Sequence, residues 1–109
     1  MEFLVEFNLL VPEGTPEAEV KERVSAEAAG SAALARQGHL LRLWRPPAAP
    51  GERKALGLYR AASEAELNAL LAALPLSGWM QITITPLEPH PNDPTGTPAS
   101  SLSSATSVL

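Results

Sequence analysis

Residues 2–11 read Glu2-Phe3-Leu4-Val5-Glu6-Phe7-Asn8-Leu9-Leu10-Val11, and the fold class follows from how this stretch gives way to the next. Phe3, Val5, Phe7, Leu9 and Val11 fall on one side of an extended backbone and Glu2, Leu4, Glu6, Asn8 and Leu10 on the other. That is the period of a strand. Pro12, Glu13 and Gly14 turn the chain, and a helix is expected from about Pro16 to Arg36. Thr15 suits its N-cap and Pro16 its first position, Glu17 and Glu19 lie at the positive end of the helix dipole, and Gly38 marks the exit.

Outward from there, Leu40–Arg45 and Ala55–Ala61 read as two strands, joined by a loop (Pro46-Pro47-Ala48-Ala49-Pro50-Gly51-Glu52-Arg53) too rich in proline to pair. Ser63 and Glu66 have capping-box spacing, and Leu67, Leu70, Leu71 and Leu74 form one apolar stripe before Pro75 ends the second helix. From Trp79 to Thr85, Met80, Ile82 and Ile84 alternate with Gln81 and Thr83. The order β-α-β-β-α-β predicts an α+β, ferredoxin-like domain, a four-stranded antiparallel sheet with both helices on one face. Leu4 and Leu10 make the other face partly apolar. Packing two such faces together would cover it, so a homodimer of the α/β-barrel type is expected.

The chain has 109 residues, which is enough for one domain with its own core. It has no cysteine, so disulfides, thiolate metal sites and cysteine nucleophiles are excluded, and two histidines leave almost no room for a histidine metal site. A net charge of -4 offers no footprint for nucleic acid or an anionic membrane. No apolar run is long enough to span a bilayer, and the N-terminus lacks the basic start of a signal peptide, so the expected location is cytoplasmic. Of 11 prolines, Pro86, Pro89, Pro91, Pro94 and Pro98 lie near the C-terminus, where Ser and Thr also accumulate. The domain is expected over residues 1–93, and residues 94–109 as a mobile tail.

One residue of the first helix stands out. With Val20 at 0°, Val24, Ser31, Leu34 and Ala35 all project within about 60° of it, and Glu27 falls at about 340°, in the middle of this apolar face. Glu19, Lys21, Glu22 and Arg36 point elsewhere, and Arg23 lies some 40° from Glu27 toward the solvent side. A carboxylate so placed either finds an ion-pair partner such as Arg42 or Arg45 from the next strand, or has its pKa raised by desolvation. A raised pKa is what a general acid/base needs. Arg42 and Arg45 have opposite parity in the strand, so one of them can face the helices. Phosphate loops, nucleophile elbows and metalloprotease motifs are absent.

Gly38 with Leu43-Trp44-Arg45, then Leu74-Pro75-Leu76 followed by Trp79-Met80, and finally His90-Pro91, resemble the muconolactone isomerase family in order and spacing. The resemblance runs from about Met1 to Asp93. It implies a cofactor-free isomerase of aromatic degradation by the β-ketoadipate route, forming ring-like homodecamers built from dimers. Its substrate would be a small anionic lactone. The family's acid/base glutamate aligns with Glu27. The resulting substrate-binding candidates are Arg42, Trp44, Arg45, Lys54 and Tyr59: a cation for the substrate carboxylate, and a donor for the lactone oxygen. Two departures count. The loop between the second and third strands is longer than in family enzymes, and where some relatives carry a histidine this chain has Arg53, Lys54 and Ala55. They motivate an alternative, a non-catalytic small-ligand-binding or scaffold module of the same fold; a cofactor-free oxygenase rests on fold analogy alone.

Overall fold

Alternation at the N-terminus produces a strand, β1 (Glu2–Leu9), whose Phe3, Val5 and Phe7 are buried while Glu6 is exposed. The computed structural model describes residues 1–95, so most of the expected tail, from residue 96 onward, lies outside the described residues. The remaining elements are α1 (Glu17–Arg36), β2 (Leu40–Trp44), β3 (Arg53–Arg60), α2 (Glu64–Ala72), a 3₁₀ turn (Ser77–Trp79) and β4 (Met80–Leu87). They form a four-stranded antiparallel sheet in the order β2-β3-β1-β4, with two helices. The two long strands β3 and β4 flank β1 in full register, Phe3 lying between Tyr59 and Pro86 and Phe7 between Ala55 and Ile82. Pro86 is tolerated because β4 is an edge strand, where a missing N–H leaves no ladder bond unmade.

Both helices cover the face that carries Phe3, Val5 and Phe7. The core joins these residues to Tyr59 and Ala61 from the β3 region, Leu34 of α1, and Leu67, Leu71 and Leu74 of the α2 region. Each of the buried Phe, Val and Leu side chains contributes roughly 1.5–3 kcal/mol. Met80, Ile82 and Ile84 pack against the cluster from β4, as their alternation predicts.

Local signals largely decide the element ends. Gly38, at φ 84°, closes α1: its N–H bonds the Ala35 carbonyl at 3.1 Å and that of His39 bonds Leu34 at 2.9 Å, the paired bonds of a Schellman cap. Ser63 caps α2 through a 3.1 Å bond from the Glu66 N–H, while the Glu66 carboxylate accepts from Ala62 N–H rather than from Ser63 itself. Thr15 departs from expectation. Its hydroxyl donates to the Pro12 carbonyl at 2.6 Å, so it stabilises the turn and leaves α1 starting after Pro16 with no side-chain cap. β1 ends at Leu9 rather than Val11, and β3 begins two residues before Ala55, so Arg53 and Lys54 belong to the sheet.

Candidate active site

Only Leu34 of α1 is buried, and Val24 is 40% exposed. The N-terminal half of the helix therefore stands off the sheet, and a cavity of about 880 Å³ opens beneath its middle. Phe7 and Leu9 from β1, Ala55 and Tyr59 from β3, and Leu76 and Met80 from beyond α2 make a mostly apolar floor. Val24, Glu27 and Ser31 line the helix side. Leu43, Arg45, Pro46, Pro47 and Ala48 form the wall at the end of β2, so the proline-rich loop contributes directly to the cavity.

The Glu27 carboxylate projects into this setting. Its Oε1 accepts a hydrogen bond from the Leu76 backbone N–H at 2.9 Å, and Oε2 has no partner among the described residues. Partial burial raises its pKa above the ordinary 4.5, and the Leu76 bond offsets only part of that rise. Arg23, one turn earlier, would be the natural counter-ion. Its guanidinium instead lies 4.3 Å over the Trp79 ring and 3.6 Å from Glu19. Neither Arg42 nor Arg45 is ion-paired with Glu27 among the described residues, so the structural ion pair that the sequence allowed is not formed.

Tyr59 lies on the floor, its ring 6.1 Å from Phe7 in an edge-to-face contact and 2% exposed. Burial, and secondarily the Glu27 charge, pushes its pKa up to about 12, so the hydroxyl keeps its proton and can act as a donor. The ring occupies space that Gly57 leaves open: a Cβ there would lie 2.5 Å from Tyr59 Cε1. Gly57→Ala is accordingly expected to displace the ring and lower stability by about 1–3 kcal/mol, read as a lower denaturant midpoint at unchanged m-value. A wild-type midpoint would show that the ring has room to move.

Glu27, Arg45, Lys54 and Tyr59 thus border one cavity, and Arg42 and Trp44 do not. A bulge between Leu40 and Arg42 sets the parity of β2 so that Arg42 and Trp44 lie opposite Leu58 and Leu56, on the face away from the helices. There the Arg42 guanidinium sits 5.0 Å over the Trp44 ring. Arg42 and Trp44 are therefore outer-face residues of this chain, apart from the other candidates. Lys54 shares their parity through Leu56 and Leu58 and reaches only the rim, where its Nζ lies 3.5 Å from Glu52. The polar lining groups outside the candidate set are Arg53, Ser31, Glu52 and the Leu76 N–H. Spacing could have found the first two, since Arg53 has the parity of Ala55 and Tyr59 and Ser31 lies one turn after Glu27; a backbone donor leaves no mark on the sequence.

The muconolactone delta-isomerase family model matches residues 1–93. A muconolactone delta-isomerase 1 of Acinetobacter lwoffii is 36% identical over 93 residues, spanning 84% of this chain and 93% of that protein. A muconolactone delta-isomerase of Cupriavidus pinatubonensis is 32% identical over 92 residues, spanning 84% and 97%. A crystal structure of muconolactone isomerase superposes with a TM-score of 0.79 at 25% identity, covering 89% of this chain and 98% of the other. The 5-chloro-2-hydroxyhydroquinone dehydrochlorinase of Burkholderia phenoliruptrix, solved with 2,5-dihydroxybenzoquinone, shares the fold at a TM-score of 0.58 and 16% identity, over 85% of this chain and 99% of that one. Since the family model spans the whole sheet, both helices and every residue lining the cavity, the chain belongs to the muconolactone delta-isomerase family.

Proposed function

We propose that this protein is a cofactor-free isomerase that converts muconolactone, or a close analogue, to the 3-oxoadipate enol-lactone in aromatic degradation, with Glu27 as the proton carrier. The observation that carries the reading is the Glu27 carboxylate: it stands on an apolar cavity wall, is free of any cation among the described residues, and has one oxygen unoccupied. Glu27 takes the proton from the ring carbon that bears the carboxymethyl arm. The electrons of that C–H bond form the new ring double bond, and those of the old one move onto the lactone carbonyl as a dienolate. Glu27 then returns the proton to the carbon next to the carbonyl, so one carboxylate on one ring face serves both half-reactions. Tyr59, protonated at neutral pH, supplies a donor for the dienolate oxygen, and Arg45 holds the substrate carboxylate.

Residues 1–93 form the catalytic unit in this reading, a ferredoxin-like domain that works in the cytoplasm. Its outer sheet face supports self-association as a homodimer, the unit from which a homodecamer would be built. Leu4 and Leu58 are cross-strand partners there, with Leu56 and Trp44 paired beside them.

Turnover of muconolactone, followed spectrophotometrically, is the direct test. Thermal stabilisation by small lactones without turnover would favour the binding-module alternative instead. The base must be ionised to act, so activity falls as pH drops through the raised Glu27 pKa. The acid limb of kcat/KM is therefore expected above the ordinary carboxylate value of 4.5. An acid limb at or below that value would count against Glu27 as the base.

A further inference from the structure

Gly30 lies near the middle of α1, in a run that otherwise favours alanine (Ala26, Ala28, Ala29, Ala32, Ala33 and Ala35). Glycine is the poorest helix former apart from proline, so its presence there calls for a steric reason. The structure supplies one. A Cβ on Gly30 would meet Leu74 Cδ2 at 3.1 Å and Pro75 Cδ at 3.7 Å. Gly30 is three residues after Glu27, on the same side of the helix, and the chain segment it contacts is the one that sends the Leu76 N–H to Glu27. That segment is itself firmly held: Leu74 N–H bonds Leu71 at 3.1 Å, Ser77 N–H bonds Leu74 at 3.0 Å, and Trp79 N–H bonds Leu76 at 2.9 Å. Leu74 and Leu76 are 5% and 7% exposed.

We propose that Gly30 and the Leu74–Leu76 turn form a positioning device for Glu27. The bare Cα of Gly30 lets α1 close on the turn, the Leu76 N–H then fixes Oε1, and Oε2 is left aimed at the cavity. Gly30 is a positioning residue here and touches no substrate. The inference rests on the reading of Glu27 as the proton carrier, and gives that reading its orientation: a single backbone donor chooses which oxygen does the chemistry. The same bond favours the charged form of the carboxylate, so weakening it should make Glu27 harder to ionise.

Variants at two places in the full chain, Gly30 and the Leu76 N–H, test this. Gly30→Ala is expected to lower kcat on muconolactone about tenfold and to move the acid limb of kcat/KM to higher pH. Adding Leu74→Val removes the carbon that the new methyl meets at nearly conserved volume, and should return both quantities towards wild type. The variant at the second place replaces the Pro75–Leu76 amide by an ester, which deletes the N–H and keeps every side chain; it should lower kcat and shift the acid limb in the same direction. It carries the test independently of helix packing. Wild-type kcat and an unmoved acid limb in the ester variant overturn the proposal. Glu27→Gln separates the two levels: wild-type turnover there removes the proton-carrier reading itself, whereas an inactive Glu27→Gln beside an unaffected ester variant removes only the positioning device.

Discussion

Glu27→Gln is expected to lower kcat on muconolactone by about 10³-fold or more, because the amide can neither take the ring proton nor return it. Positioned acid/base groups typically contribute about 10²–10⁴-fold, and in the proposed mechanism one group serves two transfers, which favours the upper part of that range. Glutamine is the informative replacement. Its side-chain carbonyl can still accept from the Leu76 N–H, so the turn and the helix stay where they are. Alanine would leave that N–H unpaired in a partly buried setting and mix a structural loss into the kinetic one.

The same substitution has an opposite consequence for stability. The folded-state pKa of Glu27 is raised, so between the ordinary value of 4.5 and the raised one the native state binds more protons than the unfolded chain. Stability is then lost as pH rises through that window, and above it the charged carboxylate is a net liability. A neutral isostere avoids the loss. Glu27→Gln should melt at or above the wild-type temperature at neutral pH, with the difference shrinking as pH falls below the window. A carboxylate whose neutral isostere is at least as stable is accounted for by the proposed chemistry rather than by the fold. Near-normal turnover in a folded Glu27→Gln protein, or a melting temperature well below wild type at neutral pH, would remove that argument.

Local rules and long-range geometry divide the legibility of this chain. The alternation of Phe3, Val5 and Phe7, the capping pair Ser63 and Glu66, and the Gly38 exit each depend on neighbours a few residues away, and each is visible in the sequence. So is Glu27, because a helical wheel needs only one face to be apolar to expose a charge on it. The bulge near Leu41 is different. It is a property of how β2 registers against β3, and it decides that Arg45 rather than Arg42 borders the cavity. Parity alone limited the choice to one of the two arginines without saying which. Thr15 shows local rules competing: the same hydroxyl can cap a helix or brace a turn, and the nearby Pro12 carbonyl wins at 2.6 Å. The Leu76 N–H lies 49 residues from Glu27 and carries no side-chain signature, so only the tertiary structure brings the two together.

Arg45→Met is expected to raise KM for muconolactone about 10- to 100-fold, with a smaller effect on kcat. Arg45 borders the cavity just beyond β2 and has no acidic partner within ion-pair distance among the described residues. The lining carboxylate other than Glu27, Glu52, is already engaged: it accepts from the Ala49 N–H at 2.9 Å and lies 3.5 Å from Lys54 Nζ, and both contacts lower its pKa. The Arg45 guanidinium is therefore available to a ligand. A charge-assisted bond of this kind contributes roughly 1.5–3 kcal/mol, which sets the range given for KM. The carboxymethyl arm keeps its charge throughout the reaction, so an interaction with it is equal in ground and transition states and acts mainly on KM. Arg45→Lys should recover part of the loss, since lysine restores the charge but not the two-pronged geometry. Arg42→Met serves as the control: its side chain lies on the outer face over Trp44, and KM should not move. If instead Arg45→Met keeps a wild-type KM while Arg53→Met raises it, the anion is held on the β3 side of the cavity.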